Sequence, residues 1–539
     1  MLSYRKLAMR VLGRPLHTGR IDSPRPASQR AAAFILTAAM LTTLAAPAFA
    51  DIWHIENGDI TISAGESGNN VTQNNNTTYG DTNTIITNQN KDTASSHTVT
   101  IETNDKNDKV EVTLDNVNIK ADSGSALTSK GDVTLTLKGD NSLTGGNGGS
   151  GISSSGSLTI SGGENNSLTA QGGSGSGIFS SGGVTISGGT VNATGGTGGT
   201  GENSNGGSGI YIYSSSGSLT VSGGTVTANG GSGGGNGGDG ISSTNTTISG
   251  GSTVTANGGN GGSLVGGDGI RSGGGLTVSD GTVTAKGGNG DSKDGYGGDG
   301  IRSGGVVTIS GNTVNAAGGY GGKVGGYGIC SFDRVAISGG TVEAAGGNGS
   351  TGGGSGIYSS VIDLSGSLEL TAKAGSPNGK ALSQNGSELV LDTIKDKLGP
   401  GAKVTATDAD GKVIDQVSTP RPVEPEESSS SSDGGSATPS ATVSSLPGLT
   451  VTDKDGQRIS YTSTQSGNTL TVCVGRLTAS FRISLAALRQ LRAEGIETIA
   501  FQTVLCSTTL SVDELLAMGG EDAEAVLTHR FTDSSLTVG

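Results

Sequence analysis

Three aspartates occupy the same place in three consecutive sequence repeats. Asp239, Asp268 and Asp299 each stand directly before a Gly-Ile pair. Carboxylates stacked at a fixed spacing repel one another unless a cation or a basic side chain lies among them. Because Ca²⁺ is a hard, oxygen-seeking ion, we predict that these three aspartates bind calcium. The alternative is that Arg271 and Arg302, three residues after Asp268 and Asp299, neutralise a solvated acidic row.

A second set of candidate side chains directly follows the isoleucine of the Gly-Ile pair. Where that isoleucine points inward in a strand, the next side chain points to solvent. Sugar-binding surfaces place aromatic rings against pyranose faces and use arginine to bind uronate carboxylates. We therefore predict carbohydrate binding by Tyr211, Arg271, Arg302 and Tyr358. Ordinary surface packing is the alternative, because aromatic residues make up only 3% of the chain and form no unbroken stripe.

These side chains belong to a repeat that recurs eight times between residues 151 and 372. Its unit contains G-I-x-S, then L/V-T-I/V-S-G-G, then T-V-x-A-x-G-G, and successive units begin 26 to 32 residues apart. Apolar and polar residues alternate within each unit, which is the pattern of half-buried strands. Repeats of this length that cannot bury their apolar side chains alone form stacked solenoids.

The predicted fold is all-β: a right-handed parallel β-helix of about ten coils. Aligning the units places Ile, Val and Leu in vertical ladders, with an alanine two positions after the third ladder, as in Val283 and Ala285. Gly-Gly and Ser-Gly corners should supply the positive φ that tight turns need. The Gly-rich segments before each Gly-Ile pair vary in length, so we expect them to project from one edge as loops, where solenoids often bind partners.

Composition divides the chain into four parts. Residues 1–50 have the basic stretch, the apolar run and the Ala48-Phe49-Ala50 site of a signal peptide, which predicts a secreted or cell-surface protein. Residues 51–418 hold the solenoid, residues 419–447 form a linker rich in proline and serine, and residues 448–539 read as a small α+β domain. We expect this last domain to contact another surface protein. Cys473 and Cys506 within it are either a disulfide or two free thiols.

Charge and hydropathy narrow the range of partners. The formal net charge is −14, which disfavours nucleic acid because phosphate binding needs a basic face. After the signal segment no apolar run is long enough to span a membrane. The expected partner is therefore neither a nucleic acid nor a bilayer.

Two repeat units resemble those of a family of secreted clostridial carbohydrate-binding proteins. The resemblance rests on the segments that begin Gly269-Ile270-Arg271-Ser272 and Gly300-Ile301-Arg302-Ser303, and on residues 137–143, and it covers roughly residues 99–372. It implies a right-handed parallel β-helix without catalytic activity that binds plant cell-wall polysaccharides, including acidic ones, together with calcium. The C-terminal domain lies outside the resemblance.

The main functional prediction is a secreted, non-catalytic, polysaccharide-binding protein with calcium. The first alternative is a structural or adhesive β-solenoid without a sugar site. A β-helix polysaccharide lyase is the second, with Arg271 or Arg302 as base; the chain otherwise has no HExxH or CxxC, and none of His54, His97 and His529 lies beside a serine or cysteine motif. A third reading takes the T-x-T array at Thr225 and Thr227 and its equivalents as a match to an ice lattice.

Overall fold

The computed structural model describes residues 51–103, 109–311, 313–420 and 448–538, the last range with gaps at 454–457, 460, 467, 475–477, 504–506, 519–522 and 530–533. The predicted signal peptide, most of the predicted linker and Cys506 lie outside the described residues. The chain divides into two compact units, Met1–Glu424 and Pro425–Gly539. The division falls inside the predicted linker.

The first unit is a parallel β-solenoid, which confirms the predicted fold class. It has about 13 turns, more than the ten predicted, because irregular strands at both ends also form turns. A regular turn has three short strands, and each strand pairs in parallel with its equivalents in the turns before and after. We call the three resulting stacks the first, second and third ladders.

The first ladder begins at the N-terminal end and contains Ile60–Gly65, Val99–Glu102, Leu127–Lys130, Ile152–Ser154, Ile178–Ser180, Ile210–Ile212, Ile241–Ser243, Ile270–Ser272, Ile301–Ser303, Ile329–Ile337, Ile357–Leu364 and Leu382–Gln384. The second contains Ile52–His54, Ile85–Thr87, Lys109–Asp115, Asp132–Lys138, Leu158–Gly162, Val184–Ile186, Ser218–Val221, Asn245–Ile248, Leu276–Val278 and Val307–Ile309, and continues into the last parts of Ile329–Ile337 and Ile357–Leu364. The third contains Asn118–Lys120, Asp140–Thr144, Ser167–Gln171, Thr190–Thr194, Thr225–Asn229, Thr253–Asn257, Thr282–Lys286, Thr313–Ala317, Gly340–Ala345, Leu368–Lys373 and Lys403–Thr407.

The core is the stack of inward side chains that the repeat predicts. In one turn Ile270, Val278, Val283 and Ala285 are fully buried, and each lies in register with its equivalent in the adjacent turns. Burying one Val or Ile side chain contributes about 1.5–3 kcal/mol, so the stack gains stability with every added turn. Positive φ at the corner between the second and third strands is also confirmed, for example at Gly281 (φ 117°) and Gly340 (φ 81°).

Antiparallel strands close both ends of the solenoid. Gly68–Gln73 and Asn76–Asp81 fold back on the first strand of the first ladder, and Val413–Ser418 pairs antiparallel with the last strand of the third. The 3-10 helices Ile55–Asn57 and Leu391–Lys397 and the short strand Ser387–Glu388 complete the ends. Such caps prevent the open edges from pairing with another chain.

The Gly-rich segments lie along one edge, as expected, but they stack in register from turn to turn instead of projecting as separate loops. Each turn has one glycine pair after its third strand and one before the next Gly-Ile. The amide of Gly267 donates to the carbonyl of Gly259 in the same turn, and the amide of Gly259 donates to Gly238 in the turn before, both at 2.8 Å. Equivalent bonds continue from Gly175 to Gly375 and form a line that we call the glycine seam.

The seam needs glycine because two backbones touch, not because φ is positive. A Cβ built on Gly267 would lie 1.9 Å from the carbonyl oxygen of Gly238, and the same holds along the seam. Beyond the seam the tips of the segments also pair from turn to turn, as Val265 does with Tyr296 and Tyr296 with Val324. The Gly-rich segments therefore form a thin wall, the glycine wall, along one edge of the solenoid.

The described residues of the second unit form two four-stranded sheets and two helices, as the α+β prediction requires. One sheet contains Leu449–Thr452, Ala479–Ser484, Glu524–His529 and Ser534–Val538, and the other Thr462–Ser466, Thr469–Cys473, Thr498–Gln502 and Ser507–Ser511. The helices are Leu485–Ala493, capped by the Ser484 hydroxyl as predicted, and Val512–Met518. Phe481 and Phe501, with ring centroids 4.8 Å apart, lie in the hydrophobic core of the second unit.

Candidate functional site

The three predicted aspartates lie where the glycine wall meets the first ladder. Each carboxylate accepts a hydrogen bond from the backbone of the next turn: Asp268 N–H donates to Asp239 Oδ1 at 2.8 Å, and Asp299 N–H donates to Asp268 Oδ1 at 2.7 Å. Tyr327 continues the row, and its N–H donates to Asp299 Oδ1 at 2.7 Å. Asp268 and Asp299 are buried, while Asp239 is half-buried. We call these three carboxylates the Asp row.

The arginines approach the Asp row from the first ladder. Arg302 Nη1 lies 3.0 Å from Asp299 Oδ2, and Arg271 Nη1 lies 3.8 Å from Asp268 Oδ2. The Arg302 guanidinium also lies 5.0 Å from the ring centroid of Phe332, a cation–π distance. Arg302 is thus fixed on two sides, whereas Arg271 is more exposed and its ion pair is longer.

Burial dominates the protonation chemistry of the row. Burial raises the pKa of Asp268 well above its ordinary value, and the adjacent Asp299 and Asp239 raise it further. Burial also raises the pKa of Asp299, against the lowering effects of the Tyr327 N–H and of Arg302. For Arg302, burial alone lowers the pKa, but the carboxylates of Asp299 and Asp268 outweigh it, so its net pKa is raised. Ionising the row therefore costs energy.

A groove of about 560 Å³ opens above the Asp row. It is lined by the three aspartates, by Arg271 and Arg302, and by residues of the glycine wall. Apolar and aromatic side chains also line the groove: Val265, Tyr296 and Val324 from the wall, and Tyr327 from the position that continues the Asp row. Lys323 Nζ lies 5.5 Å from the Tyr296 ring centroid. Charged, aromatic and apolar groups thus meet in one concave surface.

The four predicted sugar-binding residues share one column on the outside of the first ladder. Register places Tyr211 next to Ser242, Ser242 next to Arg271, and Arg271 next to Arg302. Cys330 and then Tyr358 follow in the next two turns. Only the two arginines line the groove itself, and the two tyrosines lie along the axis beyond its ends.

Cys330 is the exception in this column because it is fully buried although its neighbours are not. Burial, with a smaller contribution from Asp299, raises the pKa of the Cys330 thiol to about 12. It therefore stays protonated at neutral pH and has no reactive thiolate character.

The predicted calcium site does not gain support from the donor geometry. Each Asp Oδ1 already accepts a backbone N–H, and Oδ2 of Asp268 and of Asp299 faces an arginine. Among the residues that the structure describes, no three His, Cys, Asp or Glu side chains gather in a way that could hold a metal ion. Neutralisation by Arg271 and Arg302, the alternative derived from the sequence, fits these contacts better. Calcium at Asp239, Asp268 and Asp299 stays a prediction.

Sequence reasoning missed the wall side of the groove. Val265 and Val324 lie in segments of unequal length that were expected to project as loops, so nothing in the pattern aligned them with the Asp row. The signal was present in the Gly-Gly pairs that flank each segment, since paired glycines at both ends allow two backbones to touch. The sequence places the aromatic residues Tyr296 and Tyr327 in these segments, but the alignment of Tyr327 with Asp299, each directly before a Gly-Ile pair, was not used.

Comparison with protein-family models, with curated proteins and with solved structures finds no match for this chain. The resemblance to the clostridial carbohydrate-binding family therefore stays a prediction. In the described part of the chain, no helix has the length and apolar character to cross a membrane.

Proposed function

We propose that this chain is an exported, non-catalytic protein that binds polysaccharide in the groove between the glycine wall and the first ladder. The observation that carries the proposal is the meeting of Arg271, Arg302, the Asp row and the aromatic wall in one open groove. Carboxylates and arginines form hydrogen bonds with sugar hydroxyls and acidic groups, and tyrosine rings cover the apolar faces of pyranoses. An open groove also suits a polymer better than a small molecule.

The contacts of Arg302 support binding over catalysis. A lyase needs an arginine that gives up its proton to act as base, and the raised pKa of Arg302 opposes that. Its ion pair with Asp299 and its contact with Phe332 also fix the guanidinium in place. A fixed, charged arginine is suited to holding a polar ligand.

Affinity electrophoresis tests the proposal. The full chain is run through gels that contain polygalacturonan, xylan or hydroxyethyl cellulose, first with calcium and then with a chelator. We expect retardation by at least one polymer, lost in the double variant R271Q/R302Q and kept in K138Q, which removes one paired cation far from the groove. If the chelator abolishes the retardation, the result would support calcium binding at the Asp row. Equal mobility in all gels would refute the proposal.

The structural alternative keeps one specific observation in its favour. The glycine seam and the two antiparallel caps make a continuous solenoid with both ends closed, in which each turn is hydrogen-bonded to the next. On this alternative the protein is a spacer or adhesive element of the cell surface, with the second unit making the contact to another surface protein. The same gels decide, because a pure spacer is retarded by none of the polymers.

A further inference from the structure

The outside of the first ladder carries two aromatic clusters, one on each side of the arginines. At the N-terminal side the Tyr211 ring lies 5.8 Å from Phe179 and 6.0 Å from Tyr213, measured between centroids. At the C-terminal side Tyr358 stacks on Tyr327 with centroids 4.9 Å apart and an angle of 18° between the rings. A ligand can contact both clusters only if it runs along the solenoid axis. A ligand in any other direction reaches at most one of them.

Strand register and one shared tyrosine connect both clusters to the groove. Tyr327 belongs both to the C-terminal cluster and to the groove. At the other end, Tyr211 is one step in register from Ser242, and Ser242 is one step from Arg271. A separate hollow of about 390 Å³ at this end is lined by Tyr213 and Ser242, among other residues. From Tyr211 to Tyr358 the column has five steps of about 4.8 Å, or about 24 Å in all.

We propose that the polysaccharide lies lengthwise along the solenoid axis, on a site that extends from Tyr211 to Tyr358 with the two arginines at its centre. This inference rests on the proposed function and adds the direction and the extent of the ligand. The central groove holds the polar groups of the sugar, and each aromatic cluster supports a ring at one end. A chain that crosses the axis at the arginines would reach neither Tyr211 nor Tyr358.

The test is a length series measured by isothermal titration calorimetry on the full chain. Oligogalacturonides and cello-oligosaccharides from the disaccharide to the decasaccharide serve as probes. Affinity should rise with length until the oligosaccharide reaches both clusters and then become constant. Y211A and Y358A should each lower the affinity roughly threefold to tenfold for oligosaccharides above that length and leave shorter ones unchanged, the loss expected for one ring contact.

Tyr79→Ala provides the matched control, because Tyr79 is 77% exposed on the N-terminal cap, outside the column. Equal unfolding midpoints for the three variants establish that the fold is kept. Constant affinity across the series, or equal losses for short and long probes, overturns the lengthwise site and leaves polysaccharide binding intact. Polymer retardation in gels with no heat from any oligosaccharide overturns it as well. Absence of both signals refutes the proposed function instead.

Discussion

The Asp row and a row of asparagines on the glycine wall use the same hydrogen bond in different surroundings. Asn260 Oδ1 accepts from the N–H of Asn289 at 2.9 Å, and Asn289 Oδ1 accepts from Tyr320 at 3.0 Å, one turn further along each time. The bonds at Asp268 and Asp299 have the same form. Yet the neutral row is largely exposed, and the charged row is buried at Asp268 and Asp299.

This difference distinguishes what the Asp row needs for stacking from what it needs for another role. Asparagine is sufficient to connect one turn to the next, so the charge of the Asp row is not needed for the fold. Buried like charges are destabilising, and a protein that needed only stacking would keep them where water screens them. We therefore infer that the charges serve the groove, where Asp268 faces Arg271 and Asp299 faces Arg302.

The largest effect is expected from changing the seam between the two rows. In G267A the new methyl group would meet the Gly238 carbonyl, displacing the backbone that carries both rows. We expect a loss of about 1–3 kcal/mol in the free energy of unfolding, measured by urea denaturation. G273A is the control, since its Cβ would find its nearest neighbour at 3.8 Å. Equal losses in both variants would refute the close backbone contact.

Removing a hydrogen-bond acceptor should lower the free energy of unfolding more in the buried Asp row than in the exposed asparagine row. D299A leaves the Tyr327 N–H without its acceptor and Arg302 without its carboxylate, at a cost of about 1–3 kcal/mol. The same change at the asparagine row, N289A, exposes the Tyr320 N–H to water and should cost less. Urea denaturation of both variants measures the difference. A larger loss in N289A would contradict the comparison.

Exchanging the residue types between the rows should have only small effects on stability. D268N keeps an acceptor for the Asp299 N–H and removes a charge from between two others, so it should stabilise the fold by about 0.2–1 kcal/mol. N289D adds a charge to the exposed row and should change stability little. If D268N is clearly less stable than the wild type, the carboxylate is needed for stacking after all.

The Asp row should also leave a pH signature. Because its aspartates have raised pKa values in the folded state, the fold binds protons more tightly than the unfolded chain. The stability that this provides is complete below the ordinary aspartate pKa of about 3.9 and is lost as pH rises through the raised values. The difference in urea midpoint, wild type minus D268N, should therefore fall as pH increases from about 4. A difference that does not vary with pH would show that Asp268 titrates normally.

Much of this architecture is predictable because it repeats. The alternation around Ile270, Val278 and Val283 has only one arrangement that buries every apolar side chain, so ladders and register follow from the sequence. The Asp row and the column of Tyr211, Arg271, Arg302 and Tyr358 follow from the same alignment. The glycine wall does not, because a Gly-rich segment is compatible with a mobile loop and with a stack. The segments stack because the backbones of Gly267 and Gly238 touch, and no side-chain pattern in the sequence indicates that contact.

The most direct test of the account is hydrogen–deuterium exchange of the full chain with and without the polysaccharide that retards it most. We predict slower exchange on binding in residues 236–242, 265–272, 296–303 and 324–331, which form the groove and its column, and no change on the outer face of the third ladder. Protection confined to the third ladder or to the second unit would contradict a site at the Asp row.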